Sequence, residues 1–174
     1  QEITDEKEFV EAISGEISRV KNERFSLESY YSSNCPDEVF REIYTEYDRW
    51  LRKENKVDFD DMQLLCCELL SKRTDILRQW QQKYTYVLID EFQDINRVQY
   101  DTVRLLAAPE NNLFIVGDDD QSIYRFRGAR PELMLHFTED YPEAKQVTLL
   151  CNFRSTAPIV NAALRVVGNN RKRF

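Results

Sequence analysis

An eleven-residue stretch, Tyr84 to Asp94, constrains the fold of this chain more than any other. Its apolar residues are rich in β-branching and stop at Asp90 and Glu91, which is typical of a buried parallel strand that ends in carboxylates. Ligands of open α/β sheets bind at the carboxyl ends of the strands. Paired carboxylates there suit a divalent cation and a water beside a polyphosphate. A solvated acidic turn after a core strand explains the same residues equally well.

The composition indicates a helix-rich globular chain. Its 174 residues are 42% hydrophobic and 32% charged, with only 4 Gly and 5 Pro, which is enough to bury one core with an attached subdomain. It has no apolar run long enough to span a bilayer and no signal peptide, so we expect a cytoplasmic protein without a membrane partner. The net charge of −7 disfavours a general nucleic-acid coat but leaves room for a local basic patch.

Helical periodicity predicts four helices ahead of the central stretch. They are a helix that Asp5 caps and that extends to about Val20, one capped by Asp37, one capped by Asp58, and a short one that Thr74 caps and that runs through Trp80. The second helix has a wide apolar stripe and is expected to pack on the first. Residues 21–36 interrupt the pattern and are predicted to form a loop or short turn.

Beyond Asp94 the pattern alternates between strand and helix, as in a parallel α/β sheet. The predicted elements are a helix from about Asn96 to Ala108, a second fully buried strand at 113–117, a helix opened by Pro131, a third strand at 146–150, and a last helix from about Pro158 to Val167. Each strand ends in a polar loop, so we expect these loops to meet at one edge of one sheet.

The loop after the second strand is the richest in candidate functional groups. Gln121 offers a donor and an acceptor at the edge where a terminal phosphate could lie. Tyr124 and Phe126 interleave with arginines, the combination by which sequence-tolerant single-strand binders stack bases and neutralise phosphates. These arginines are Arg125, Arg127 and Arg130. In the alternative interpretation, the aromatic rings fill the core and the arginines pair with the acids at 118–120.

Other candidates have simpler explanations. Arg154, after the third predicted strand, could stabilise charge on a phosphoryl group, although a lone arginine at a helix start more often forms a surface salt bridge. Asp60 and Asp61 could join the acids at 90 and 91 in a two-metal nuclease site, but the start of a helix explains them better. His136 has no partners at ligand spacing and receives no role.

Three motifs, in order and at matching spacing, resemble the second, third and fourth motifs of UvrD/Rep-type superfamily 1 DNA helicases. They are Asp90-Glu91-Phe92-Gln93-Asp94, the run from Val116 to Tyr124 with Phe126-Arg127-Gly128-Ala129, and Asn152-Phe153-Arg154-Ser155-Thr156. The resemblance is good from about Phe40 to Arg171. It implies an α/β fold with a partial RecA-like P-loop NTPase parallel sheet in residues 58–174, and an N-terminal helical subdomain in residues 1–57.

The resemblance also implies a role for each matched residue. Asp90 would be the Walker B ligand of Mg²⁺, and Glu91 the base that activates water for ATP hydrolysis. Gln121 would contact the γ-phosphate of ATP and couple it to DNA, and Arg154 would stabilise the same phosphate. Single-stranded DNA would be held by Tyr124, Phe126 and Arg127. The implied cofactors are ATP and Mg²⁺, and the implied partners are single-stranded DNA and the remaining helicase domains of a parent chain.

The chain also departs from the family pattern. Arg125-Phe126 stands where many relatives have Gly-Trp, Cys151 replaces a more usual polar residue, and the sequence contains no Gly-x-x-x-x-Gly-Lys-Ser/Thr phosphate cradle. We therefore expect a fragment of a first motor domain that is inactive alone, with a gap or rearrangement between the strands at 113–117 and 146–150. The alternative is a non-catalytic DNA-binding or protein-interaction module that keeps a helicase-like fold.

Overall fold

The computed structural model describes residues 2–124 and 128–169, with side chains from Glu6 onward. The elements within these ranges are the helices α1 (Glu2–Glu23), α2 (Asp37–Lys53), α3 (Phe59–Lys72), α4 (Thr74–Lys83), α5 (Arg97–Ala107), α6 (Glu132–Leu135), α7 (Phe137–Asp140) and α8 (Ala157–Val167), the strands β1 (Val87–Ile89) and β2 (Leu113–Ile115), and 3₁₀ turns at Leu27–Ser29, Phe92–Asp94 and Asp119–Gln121. No helix in the described part of the chain is long and apolar enough to cross a membrane.

The first helix is longer than its apolar period predicts. Asp5 lies inside α1 rather than at its N-cap, and residues 21–23, predicted to be loop, form its last turn. The apolar face of α1 packs on α2 as expected, in a buried cluster that is completed by the connecting segment. Its buried members are Ile13, Ile17, Val20, Tyr30 and Phe40. Lys21 and Asn22 are also buried, which places two polar side chains beside this core.

Local capping chemistry sets the starts of α3 and α5. Asp58 caps α3 by accepting a hydrogen bond from the backbone N–H of Asp61, whose side chain accepts in return from the backbone N–H of Asp58. Asn96 and Gln99 form the same reciprocal pair at the start of α5. Both helix starts therefore agree with the sequence prediction. The caps predicted at Asp37 and Thr74 are wrong, because these residues are the first helical residues of α2 and α4. Pro131 occupies the N-cap of α6 rather than its first helical position.

The described residues form a parallel two-stranded sheet in which Leu88 of β1 aligns with Phe114 of β2. The prediction that both strands are fully buried is wrong, because Leu88 is 68% and Phe114 is 60% exposed. Burial alternates along each strand, so one face of the sheet is covered and the other is open. The mixed helical architecture with a parallel strand pair agrees with the α/β class.

The third predicted strand is also wrong. The described segment from Ala144 to Leu150 forms no helix or strand, and Val147, Leu149 and Leu150 are each more than four-fifths exposed. A strand needs neighbours for its N–H and C=O groups. Within the described ranges, the two-stranded sheet provides no such neighbour for this segment. The helix that follows, α8, begins one residue before Pro158 and ends at Val167, close to its predicted bounds.

Candidate functional site

The carboxyl ends of β1 and β2 lie side by side and present acids to solvent. Beyond the strands, the N–H of Val116 donates to the carbonyl of Ile89 over 2.8 Å, and the N–H of Phe92 donates to the carbonyl of Val116 over 2.9 Å. Between these bonds the chain turns at Glu91, whose φ of 51° and ψ of 42° are left-handed. Asp90 and Glu91 are consequently exposed at the sheet edge, where the sequence predicts them.

Hydrogen bonds join the turn after β1 to the turn after β2. The side-chain Nε2 of Gln93 donates to Glu91 Oε2 over 2.7 Å, and its Oε1 accepts from the backbone N–H of Asp118 over 3.0 Å. Gln121 Nε2 in turn donates to Asp118 Oδ2 over 2.8 Å. We call Asp90, Glu91, Gln93, Asp118 and Gln121 the strand-end site. Its acids and Gln121 were predicted from the sequence, whereas the bridging role of Gln93 was not.

Packing beneath the strand-end site holds its turn in place. Phe92 is fully buried and meets the rings of Tyr100 and Phe137 edge-on, with centroids 5.9 Å and 5.7 Å away. At Gly117, an added Cβ would lie 2.7 Å from Gln93 Oε1 and 3.2 Å from the backbone nitrogen of Phe92. A side chain at position 117 would therefore displace the bridging amide.

The donor set of the strand-end site fits Mg²⁺ bound together with a nucleotide. The described residues contain no group of three or more His, Cys, Asp or Glu side chains that could enclose a metal by themselves. Mg²⁺ usually keeps several waters and binds through one or two carboxylates and the phosphates of its substrate. Asp90 suits this mode because its carboxylate is exposed and, among the residues that the structure describes, its Oδ1 accepts only from the N–H of Glu91, over 2.9 Å.

Asp94, the last acid of the same motif, differs in environment. Its Oδ1 is buried and has no hydrogen-bond partner among the described residues. Burial, followed by the negative charge of Glu91, raises the pKa of the Asp94 carboxyl above its ordinary value. Asp94 therefore favours its neutral form more than an exposed aspartate does, and we assign it no ligand.

The loop after β2 is held at its start and at its end. At its start, the N–H of Asp118 is held by Gln93. At its end, the N–H of Arg130 donates to the carbonyl of Ile95 over 2.9 Å, and its guanidinium contacts Glu23 Oε2 at 2.8 Å. Arg130 thus pairs with α1 rather than with the acids at 118–120 that the core-filling alternative invoked.

The candidate DNA-binding residues lie in the middle of this loop. Tyr124 is 39% exposed, so its ring is not enclosed in the core. Phe126 and Arg127 lie outside the described residues, and their roles stay predictions. Gly128, further along the loop, has a positive φ of 84° that favours glycine, and an added Cβ there would lie 3.5 Å from Asn22 Cβ.

Arg154 is not joined to the strand-end site by any contact among the described residues. It is exposed in the turn before α8, where its N–H and that of Ser155 donate to Asn152 Oδ1 over 3.0 Å and 2.8 Å. Its guanidinium makes no ion pair within the described part of the chain. The expected meeting of three loops at one edge fails here because the segment at 146–150 has not joined the sheet.

A second polar cluster, which the sequence did not predict, lies between α1, α3 and α5. Lys21 Nζ contacts Asp58 Oδ2 at 2.6 Å and Asp61 Oδ1 at 2.7 Å. Asn96 Nδ2 donates to Asn22 Oδ1 over 2.8 Å. We call Lys21, Asn22, Asp58, Asp61 and Asn96 the helix junction.

The helix junction also explains the acids at the start of α3. Asp61 completes the capping box with Asp58 and pairs with Lys21, while Asp60 Oδ1 accepts from Asn22 Nδ2 over 2.9 Å. The interpretation of Asp60 and Asp61 as a helix start is confirmed by the capping box. Their carboxylates bind protein donors, which leaves no support for a two-metal nuclease site with the acids of the strand-end site.

The chain belongs to the family described as the UvrD/REP helicase N-terminal domain, whose model matches residues 1–142. It is 49% identical over 155 residues to the putative ATP-dependent DNA helicase YjcD of Bacillus subtilis, a match that covers 89% of this chain and 20% of that protein. It is 42% identical over 163 residues to the ATP-dependent DNA helicase PcrA of Leuconostoc citreum, covering 92% of this chain and 22% of the relative.

The PcrA of Bacillus subtilis is similar at 40% identity over 164 residues, covering 93% of this chain and 22% of that protein. The chain therefore spans about a fifth of the length of the curated relatives that it matches. The resemblance to UvrD/Rep-type helicases that the three motifs indicated is confirmed by these matches.

Proposed function

We propose that the protein to which this chain belongs is an ATP-dependent DNA helicase, which couples ATP hydrolysis to translocation on single-stranded DNA and to unwinding of the duplex. The chain would supply part of a RecA-like motor domain. The observation that best supports this proposal is the strand-end site, where exposed acids after β1 are bonded through Gln93 to the turn that holds Gln121. The names of the relatives, which are ATP-dependent DNA helicases, support it independently.

In this proposal Asp90, Glu91 and Gln121 of the strand-end site each have one task in ATP hydrolysis. Asp90 holds Mg²⁺, and Glu91 accepts a proton from the attacking water. Gln121 binds the γ-phosphate, since its amide has a second N–H beyond the one given to Asp118. Bound Mg²⁺ neutralises charge on the phosphates of ATP. Arg154, assigned through its motif, adds a guanidinium that is exposed and without an ion pair in the described part of the chain.

The decisive experiment removes the proposed base in the full-length protein. We expect Glu91→Gln to lower the turnover of DNA-stimulated ATP hydrolysis by roughly 10² to 10⁴-fold, the range that a general base contributes. Glu110→Gln is the matched control, because it makes the same chemical change at an exposed acid before the other end of β2. An ATPase rate in Glu91→Gln that equals the control would contradict the proposal and favour a non-catalytic module.

The DNA-binding half of the proposal rests on the loop after β2. Tyr124, Phe126 and Arg127 would hold single-stranded DNA by stacking and phosphate contact. We expect Tyr124→Ala to weaken binding of a fluorescent single strand by roughly 5- to 150-fold, in line with about 1–3 kcal/mol for one stacked base. Tyr31→Ala is a suitable control because Tyr31 is an exposed aromatic on the segment between α1 and α2. Equal affinities in the two variants would remove the stacking role.

The chain by itself is proposed to lack ATPase activity. Its sequence contains no Gly-x-x-x-x-Gly-Lys-Ser/Thr loop, and such loops provide the backbone N–H groups that cradle the phosphates. Hydrolysis by the purified chain that disappears in Glu91→Gln would contradict this part of the proposal and leave the helicase assignment intact.

A further inference from the structure

Gln93 is the one buried side chain of the strand-end site. It is 1% exposed, whereas Asp90, Glu91 and Gln121 are exposed. Its amide uses both ends: Nε2 donates to Glu91 Oε2 over 2.7 Å, and Oε1 accepts from the N–H of Asp118 over 3.0 Å. A buried amide whose donor and acceptor are both hydrogen-bonded has little freedom to rotate, because a rotation would break one of these bonds and leave a buried polar group unpaired.

The surroundings of Gln93 fix it from three sides. Phe92, the residue before it in the chain, is fully buried between the rings of Tyr100 and Phe137. The missing Cβ at Gly117 leaves the space that Gln93 Oε1 occupies, since a Cβ there would come within 2.7 Å of that oxygen. The backbone carbonyl of Gln93 also lies 3.5 Å from Ser122 Oγ, beyond the 3₁₀ turn that contains Gln121. The amide is therefore preorganised before any ligand arrives.

Glu91 depends on this amide for its orientation. Its backbone is in the left-handed region and its carboxylate is exposed, so packing alone does not hold the side chain. Among the described residues, the hydrogen bond from Gln93 is the one that the Glu91 carboxylate accepts from another side chain. An exposed glutamate without such a donor samples several rotamers.

We propose that Gln93 is a positioning residue for ATP hydrolysis, which aims the Glu91 carboxylate at the reacting water and fixes its position relative to the turn that holds Gln121. This inference rests on the proposed function. The path is continuous: Glu91 binds the Gln93 amide, the amide binds the backbone of Asp118, and the Asp118 carboxylate binds Gln121 Nε2 at 2.8 Å. The base and the phosphate-binding amide thus share one rigid support.

The test uses two substitutions of Gln93 in the full-length protein. Gln93→Glu keeps the acceptor for Asp118 but places a carboxylate against Glu91, and Gln93→Met keeps the length of the side chain while removing both hydrogen bonds. We expect the kcat of DNA-stimulated ATP hydrolysis to fall roughly 10- to 100-fold in each, the loss that follows from a misplacement of about 1 Å. The KM for ATP should change less than about threefold, because ground-state binding is not the target.

The control is Gln99→Glu, which adds the same charge at an exposed position and keeps the acceptor that Gln99 offers to the N–H of Asn96. A kcat in Gln93→Glu and Gln93→Met equal to that of this control would overturn the positioning role. So would a rise in KM with unchanged kcat, which would make Gln93 a binding residue. If one of the two variants does not fold, the other is sufficient for this comparison.

A swap of the two side chains separates positioning from packing. We expect the carboxylate that Gln93→Glu places against Glu91 to lower the melting temperature. In Glu91→Gln with Gln93→Glu, an amide and a carboxylate face each other again, so the melting temperature should return while the ATPase rate stays as low as in Glu91→Gln. A melting temperature that stays low would contradict the contact. Finally, if Glu91→Gln alone remains active, the proposed function fails, whereas an inactive Glu91→Gln beside a normal Gln93→Glu overturns only the positioning role.

Discussion

The helix junction and the strand-end site both collect acids and amides, but they use them in opposite ways. In the helix junction, Lys21 is 2% exposed and its ammonium lies between the carboxylates of Asp58 and Asp61. In the strand-end site, Asp90 and Glu91 are exposed and face no cation among the described residues. The carboxylates of the first cluster are already paired with the Lys21 ammonium, while those of Asp90 and Glu91 in the second remain available to a ligand.

This difference separates stability from function. A buried charge that loses its partner keeps its full desolvation penalty, so the helix junction should be sensitive to any single change. An exposed carboxylate loses little solvation on folding, and its replacement should leave the fold almost unaffected. The presence of acids in a cluster therefore does not indicate a binding site, because what matters is whether protein donors already satisfy them.

Removal of the buried ammonium should have the largest effect on stability. We expect Lys21→Met to lower the free energy of unfolding by about 3–5 kcal/mol, since the carboxylates of Asp58 and Asp61 would remain partly buried without a cation. Urea unfolding followed by circular dichroism measures this change. Tyr47, whose hydroxyl donates to Asp58 Oδ2 over 2.9 Å, compensates for only part of the loss because it is neutral.

Two further variants test this difference between the helix junction and the strand-end site. Lys72→Met removes an exposed lysine that pairs with Glu68 on the surface of α3, and such pairs contribute only about 0.3–0.5 kcal/mol. Glu91→Gln, which should abolish ATPase activity, should change the free energy of unfolding by less than about 0.5 kcal/mol. A Lys21→Met variant as stable as Lys72→Met would show that the helix junction contributes no more than a surface pair.

The sequence predicts those parts of both clusters that depend on neighbours in the chain. Asp58 was recognised as a helix cap because an apolar helical pattern directly follows it in the chain. Asp90 and Glu91 were recognised because an apolar strand directly precedes them. The ion pair of Lys21 was not predicted because 37 residues separate it from Asp58. The bridging role of Gln93 was not predicted because 25 residues separate it from Asp118. Contacts at such separations leave no local pattern.

The segment at 146–150 shows the opposite error. Its apolar residues fit a strand, and helices were also predicted correctly on either side, at α5 and α8. A strand, unlike a helix, satisfies its backbone groups only through neighbouring strands, so an apolar run alone does not determine it. The same dependence explains why Arg154, placed by that strand in the prediction, makes no contact among the described residues with the hydrogen bonds that link Glu91 to Gln121.

The smaller expected effect is the response of the helix junction to acid. Burial would raise the pKa of Asp58, but hydrogen bonds from Lys21, the backbone of Asp61 and Tyr47 outweigh it and hold the pKa below the ordinary 3.8. A carboxyl whose pKa is lower in the folded chain stabilises the fold above its unfolded pKa. This stabilisation is lost as the pH falls through the folded value.

We therefore expect the free energy of unfolding to decline as the pH drops below 3.8, and the difference between the wild type and Lys21→Met to shrink over the same range. On the basic side, burial would lower the pKa of Lys21, but Asp58 and Asp61 raise it above 10.5. The Lys21–Asp58 pair therefore stays ionised between pH 3.8 and pH 10.5. Urea titrations of both proteins from near neutrality into acid measure the difference. A constant difference across that range would mean that the ionisation of Asp58 does not underlie the stabilisation by Lys21, and the contrast with the strand-end site would then not be one of charge.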